Sequence, residues 1–158
     1  MRPFNNYGPR QHPEKVVPRF IIQALAGEPL TIHGEGHASR DWLHVDDTAS
    51  AIEALVAAPL ERVAGEVVNV ATGTDISVLD IARLVLDAVG NPMGATVHVD
   101  ERPGQVDRHI GSTDKLERLT GWRASIGFEE GLERTVAWYR ENEAWWRGVL
   151  GRVHVSSS

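Results

Sequence analysis

Between Gly65 and Gly73 the chain carries Val67-Val68-Asn69-Val70-Ala71, apolar at four positions of five. A near-continuous apolar run marks a strand covered on both faces, as strands of parallel sheets are. Parallel strands need crossover connections, usually helices. The rest of the chain supplies them, because short apolar runs alternate with helix-period segments. The fold class read from this pattern is α/β.

The elements follow in order. A helix over 15–26 carries Val16, Phe20, Ile21, Ile22 and Leu25, with Pro18 in its tolerant first turn and Gly27 as its stop. Leu30-Thr31-Ile32-His33 reads as a strand, Gly34-Glu35-Gly36 as a turn and Trp42-Leu43-His44-Val45 as a second strand. Asp46, Asp47 and Thr48 are N-cap candidates for a helix over about 49–57, with Ile52, Leu55 and Val56 as its buried face. Ser77 opens a capping-box-like start to a helix bearing Ile81, Leu84, Val85 and Val89, closed by Gly90. A strand over 96–100, a loop over 102–105, a short helix over 113–119 and a last helix over 128–146 complete the reading. Residues 1–150 read as one domain, and 151–158 as a disordered tail ending in three serines.

Composition excludes several classes. Sixteen Lys and Arg against 22 Asp and Glu give a net charge of −6. That balance argues against a nucleic-acid partner. There is no cysteine, which excludes disulfides and thiolate chemistry and fits a reducing cytoplasm. No apolar run approaches the roughly 20 residues of a membrane helix. A length of 158 residues suits one domain. It is short for an enzyme holding both a cofactor lobe and a substrate lobe.

Four polar residues stand out. Asn6 ends an apparent strand before the Gly8-Pro9 turn. It is placed either to meet a ligand, as at the carboxyl ends of α/β strands, or to satisfy its own turn. Arg40 offers a fork suited to phosphate, or pairs with Asp41 or Asp47. Arg102 sits in the rigid Arg102-Pro103-Gly104 loop, as a ligand cation or as surface charge. Asn69 lies inside an apolar strand and needs a partner if buried.

Other patterns fall away. His33 and His37 are separated by Gly34 and Gly36, so they share no helix face and no metal site is expected. Asp46-Asp47 reads as capping. No glycine-rich dinucleotide turn follows a strand, since Gly34-Glu35-Gly36 is too short and starts no helix. No Tyr-x-x-x-Lys pair exists, because Gln11 and Glu143 stand four residues after the two tyrosines.

Five motifs in order carry a resemblance. They are Arg2-Pro3-Phe4-Asn5-Asn6-Tyr7-Gly8-Pro9-Arg10-Gln11, then Pro29-Leu30-Thr31-Ile32-His33-Gly34-Glu35-Gly36, then Arg40-Asp41-Trp42-Leu43-His44-Val45-Asp46-Asp47. Val68-Asn69-Val70-Ala71-Thr72-Gly73 and Arg102-Pro103-Gly104 follow. This series resembles the extended short-chain dehydrogenase/reductase superfamily, in its NAD-dependent nucleotide-sugar epimerase/dehydratase group. With His12-Pro13-Glu14-Lys15 and Thr135-Val136-Ala137-Trp138-Tyr139 added, it is most similar to the carboxyl-terminal half of dTDP-glucose 4,6-dehydratases.

The resemblance implies the C-terminal part of a Rossmann-type fold: a substrate-binding lobe with a few sheet strands and flanking helices. Its NAD turn, Tyr-x-x-x-Lys pair and acid/base residues would lie upstream of Met1. By resemblance Asn6 contacts the substrate beside the cofactor. Lys15, Val16, Val17, Pro18, Arg19 and Phe20 line the nucleotide, and Thr31, Ile32 and His33 flank its base. Arg40 and Arg102 grip the diphosphate, with Asn69 and Gln105 nearby.

Three positions depart from the dehydratases: His33 and His109 stand where tyrosine is usual, and Gln105 where histidine is. The implied ligand is a dTDP- or UDP-hexose. The implied full-length reaction oxidises the sugar at C4 with transient hydride transfer to NAD, so no catalytic residue is expected here. Two further readings stay open: a non-catalytic nucleotide-sugar binder, and one chain of a split enzyme whose Rossmann half is a separate chain. In either case the strands near Pro3-Phe4 and 67–71 are expected to expose edge and apolar surface. The partner expected besides the ligand is that separate half or further copies of this chain as a homo-oligomer.

Overall fold

A computed structural model describes residues 1–101, 104 and 106–155. The chain opens with β1 (Arg2–Pro3) and β2 (Asn5–Tyr7), then α1 (Val16–Leu25) and β3 (Leu30–His33). β4 (Ser39–Arg40) and β5 (Trp42–His44) lead directly into α2 (Val45–Ala57), followed by the single turn α3 (Leu60–Val63). Next come β6 (Asn69–Val70), β7 (Ile76–Ser77), α4 (Val78–Val89), β8 (Thr96–Val99) and β9 (Arg108–His109). Helices α5 (Asp114–Thr120), α6 (Phe128–Glu141) and α7 (Glu143–Val155) close the order.

Among the described residues, four of the five strand pairings are parallel, as the apolar run at 67–71 predicts. β1 pairs β6, β2 pairs β5 and β3 pairs β8, all in parallel. β4 lies between β7, antiparallel, and β9, parallel. Within the 67–71 run, Val68, Val70 and Ala71 are buried, but Val67 is half exposed and only Asn69–Val70 form the ladder.

Helical spacing builds the main core. Val17, Phe20, Ile21 and Ala24 fall on one face of α1. They pack against Ile81, Ala82, Val85 and Leu86 of α4 and Leu132, Val136 and Tyr139 of α6. Burying each large side chain contributes about 2 kcal/mol. A smaller core of Leu43, Ala51, Val68, Val70, Leu116 and Trp122 sits beneath β6.

Helix α2 corrects the sequence reading. It starts at Val45, and its N-cap is His44, whose side chain accepts the Asp46 N–H. Its inward face holds Asp47, Ala51, Ala54 and Leu55, while Ile52 and Val56 face out, Val56 at 81% exposure. Asp47 does not cap its own helix. Its carboxylate accepts from the Ser125 and Ile126 N–H groups and the Ser125 hydroxyl, tying down the approach to α6.

The predicted single last helix breaks at Asn142. Both the backbone and side-chain nitrogens of Asn142 donate to the Trp138 carbonyl there. Helix α7 then runs to Val155, five residues into the segment read as a disordered tail. Ser156, Ser157 and Ser158 lie outside the described residues.

His44 is 1% exposed, and burial pushes its pKa below the ordinary histidine value. The unfolded chain takes up this proton below about pH 6.5, and the folded chain resists it. Stability is therefore full above about pH 6.5 and declines as the pH falls below it. Urea midpoints at pH 7.5 and 5.5 should show the decline. His44→Asn, which keeps a capping acceptor but does not titrate, should flatten it; a wild-type midpoint unmoved between the two would count against this account.

Candidate functional site

Strand β2 and the turn after it form one wall of an open cleft, through Phe4, Asn5, Asn6 and Gln11. Lys15 and Val16, at the start of α1, close one side. Ala38, Arg40 and Trp42 from β4–β5, with Val78 at the start of α4, close the other. The cleft has a volume of about 540 Å³. Parallel pairing of β2 with β5 sets Asn5 opposite Trp42 and Asn6 opposite Leu43. One register therefore brings two motifs separated in sequence to one place.

The electrostatics of the cleft are one-sided. Lys15 and Arg40 line it, and among its described lining residues there is no carboxylate. Lys15 holds a loose, exposed pair with Glu14 at 3.5 Å, which is worth little in water. Arg40 makes no ion pair among the described residues. Its one hydrogen bond donates to the adjacent Ser39 carbonyl at 2.7 Å.

The carboxylates that the sequence offers Arg40 as partners are committed elsewhere. Asp41 is wholly buried. One of its oxygens accepts from the Thr72 N–H and hydroxyl, both at 2.8 Å. The other accepts from the Gly73 and Gly111 N–H groups, at 2.9 and 3.3 Å. Asp47 serves the 125–126 segment. Nearby, Arg108 grips Asp75 through two bonds of 2.9 Å, and Ser39 donates to the same carboxylate. The guanidinium first, then the hydroxyl, hold the Asp75 carboxyl well below the usual carboxylate range.

Asn6 is oriented by its neighbours. Its Oδ1 accepts from the Thr48 hydroxyl, and its Nδ2 donates to the Phe4 carbonyl at 3.2 Å. One Nδ2 hydrogen is left for another partner. Gln11 donates to the Asn6 carbonyl at 2.7 Å and accepts at its own carbonyl from the Tyr139 hydroxyl. Burial pushes the Tyr139 phenol well above its usual range, so it remains a donor.

Of the residues proposed from sequence, Asn6, Lys15, Val16 and Arg40 share the cleft. The other described ones do not join them. Val17, Pro18, Phe20 and Ile32 turn their side chains into the core. Arg19 donates to the Thr31 carbonyl at 3.1 Å, and the Thr31 hydroxyl accepts from Gln23 at 3.0 Å. His33 bonds the Asp100 carbonyl at 3.1 Å. These contacts tie β3 to α1 and to the segment after β8. Asn69 sits opposite Arg2, away from the cleft lining, with no side-chain partner among the described residues. Arg102 and Gln105 lie outside the described residues.

Gln11 closes the first motif, but nothing in the sequence assigns it to the site. The sequence reading also missed Phe4, Ala38, Trp42 and Val78 as lining, and Asp41 as anything but a partner for Arg40. Among the described residues no group of three His, Cys, Asp or Glu side chains could hold a metal ion. Among them, too, no helix is long and apolar enough to cross a membrane.

Comparison with known proteins matches residues 1–135 to the family model described as GDP-mannose 4,6 dehydratase. A dTDP-glucose 4,6-dehydratase of Streptomyces niveus is 39% identical over 90% of this chain and 41% of its own length. One from Streptomyces griseus is 37% identical over 92% of this chain and 44% of its own. Among solved structures, a dTDP-glucose 4,6-dehydratase from Streptomyces venezuelae with NAD bound superposes with a TM-score of 0.86 at 36% identity. That match covers 94% of this chain and 45% of the other. A UDP-glucose 4-epimerase from Thermotoga maritima, solved with UDP-glucose, gives a TM-score of 0.83 at 32% identity, over 90% of this chain and 45% of that one. The chain thus spans less than half the length of these relatives. It belongs to the GDP-mannose 4,6 dehydratase family of the extended short-chain dehydrogenases/reductases, and matches the carboxyl-terminal part of its dehydratase and epimerase relatives.

Proposed function

We propose that residues 1–150 form one nucleotide-sugar-binding unit of a 4,6-dehydratase or epimerase, and that the cleft holds a dTDP- or UDP-hexose. The observation that carries this reading is Arg40: a guanidinium without a carboxylate partner among the described residues, in a cleft whose described lining has no carboxylate. In a chain of net charge −6, such a cleft favours an anion. A guanidinium fork matches a diphosphate bidentately. The bound UDP-glucose of the Thermotoga maritima neighbour supports the ligand class.

NAD is the cofactor in several structural neighbours. A dinucleotide pyrophosphate needs a glycine-rich strand-to-helix turn that lets backbone N–H groups come close. The connection from β2 to α1 holds Gly8 as its single glycine, that from β9 to α5 holds Gly111 as its single glycine, and β5 and β7 run into α2 and α4 with none between, so no strand-to-helix turn among the described residues is glycine-rich. These residues do not fit that part of NAD, and no step through it is assigned to them. In this reading the chain binds and positions the sugar nucleotide, while cofactor and proton transfer belong to residues that the relatives carry outside the matched region.

Titration calorimetry with dTDP-glucose and UDP-glucose tests the proposal. Saturable binding of one or both is expected. Arg40→Ala should weaken it at least tenfold, because it removes a charge-assisted pair of hydrogen bonds worth roughly 1.5–3 kcal/mol. No binding by the wild-type chain at millimolar ligand would overturn the reading.

A further inference from the structure

The turn that carries Gln11 holds two unfavourable features side by side. Arg10 has φ +64°, and it is the only non-glycine residue among the described ones in the left-handed region, where a side chain is disfavoured. Gln11 Oε1 is closed to solvent and accepts no hydrogen bond from the described residues, although buried acceptors nearly always find a donor.

The turn is not loose. Arg10 lies over the Trp138 ring at 5.5 Å, and Gln11 N–H donates to the Gly8 carbonyl at 3.4 Å. Tyr139 donates to the Gln11 carbonyl. Gly8 has φ +145°, and a Cβ there would meet Val45 Cγ1 at 2.7 Å. The backbone is therefore pinned on several sides.

The orientation of the amide follows from its one partner. Nε2 faces the Asn6 carbonyl at 2.7 Å, and a flipped amide would set oxygen against oxygen. Oε1 is thus the atom left over, on a residue that lines the cleft. Strained backbone and unmet polar atoms persist together mainly where a function uses them.

We propose that Gln11 is a specificity-determining residue of the cleft. Its Oε1 accepts a hydrogen bond from a glycosyl hydroxyl, once that group has entered and drawn the amide toward it. This inference rests on the nucleotide-sugar reading above. A diphosphate ionised at neutral pH offers only acceptors, so it suits Arg40 and is repelled by Oε1. A hydroxyl supplies the donor that Oε1 lacks.

The test is titration of the full chain, wild type, Gln11→Met and Gln11→Glu, with dTDP-glucose and with dTDP. The quantity read is the ratio of the two dissociation constants. Wild type should favour the sugar nucleotide. Gln11→Met keeps the length but has no strong acceptor, and should lower that preference by up to about tenfold, the effect of one hydrogen bond. Gln11→Glu sets an oxygen against the Asn6 carbonyl and opposes the diphosphate of both ligands, so both should bind more weakly, but it keeps an acceptor and should keep the preference.

General damage to the fold weakens both ligands together and shows separately as a lowered urea midpoint. In a Gln11→Met chain whose urea midpoint matches wild type, an unchanged ratio overturns the inference: with both affinities unchanged, Oε1 meets no donor, and with both equally reduced, the donor lies on the base or ribose. A wild-type chain that binds both ligands without preference sinks only this inference, whereas one that binds neither also sinks the nucleotide-sugar reading.

Discussion

Replacing Asp41 by Ala is expected to destabilise the chain by about 4 kcal/mol, a large part of the 5–15 kcal/mol a domain of this kind possesses. The carboxylate is wholly buried and gathers the Thr72, Gly73 and Gly111 N–H groups and the Thr72 hydroxyl. Removing it leaves three backbone donors without their partner; Gly111 is buried, where an unmet donor costs about 1–3 kcal/mol, while Thr72 is half-buried and Gly73 exposed, so water meets part of their need. Asp41→Asn keeps one oxygen but turns an NH2 group toward backbone donors. It should lose about half as much. Urea unfolding of the three proteins decides the matter; an Ala variant within 1 kcal/mol of wild type would show that the loops re-pair without the carboxylate.

Gly131→Ala should destabilise by about 3 kcal/mol, although alanine is the better helix former by about 1 kcal/mol. Gly131 lies in α6, where a Cβ would overlap the Tyr7 hydroxyl and reach within 2.9 Å of His44 Cδ2. Both neighbours are buried rings, and the Tyr7 hydroxyl donates to the Phe128 carbonyl at 3.1 Å. Relief of the clash must move a core aromatic and lose that bond. Gly148 in α7 makes the internal control, because a Cβ there meets nothing within 4 Å. Gly148→Ala should raise Tm slightly while Gly131→Ala lowers it by several degrees. Equal shifts of one sign would refute the steric account.

Local signals were legible in the sequence, and long-range ones were not. Strand β3 and the Ser77 cap of α4 stand where the pattern puts them, because apolar spacing and N-cap chemistry act within a few residues. The start of α2 was misread because Asp46-Asp47-Thr48 offers better capping chemistry than His44. The Asp47 carboxylate is instead taken by Ser125 and Ile126, about 80 positions away. Ile52 and Val56 fit helical spacing, yet the inward face belongs to Ala51 and Leu55.

The cleft shows the same division. Asn6 and Arg40 were legible through motif and resemblance, as polar residues beside turns. Nothing local marks Gln11 as a cleft residue, because its carbonyl is held by Tyr139, 128 positions away, and its amide by the Asn6 carbonyl. Val17, Phe20 and Ile32 came in with their motifs, but each lies on the buried side of its element.

The parallel ladders also bear on how fast the chain can reach this state. β1–β6, β3–β8 and β4–β9 each join residues about 70 positions apart. Each such pairing must close a long loop before its contacts repay the lost chain entropy. β2–β5 closes a loop roughly half as long, so the Asn6 wall and the strand leading into α2 should meet early. The remaining ladders should form late, after a slow search in which the apolar residues of β3, β6 and β8 stand open to neighbouring chains.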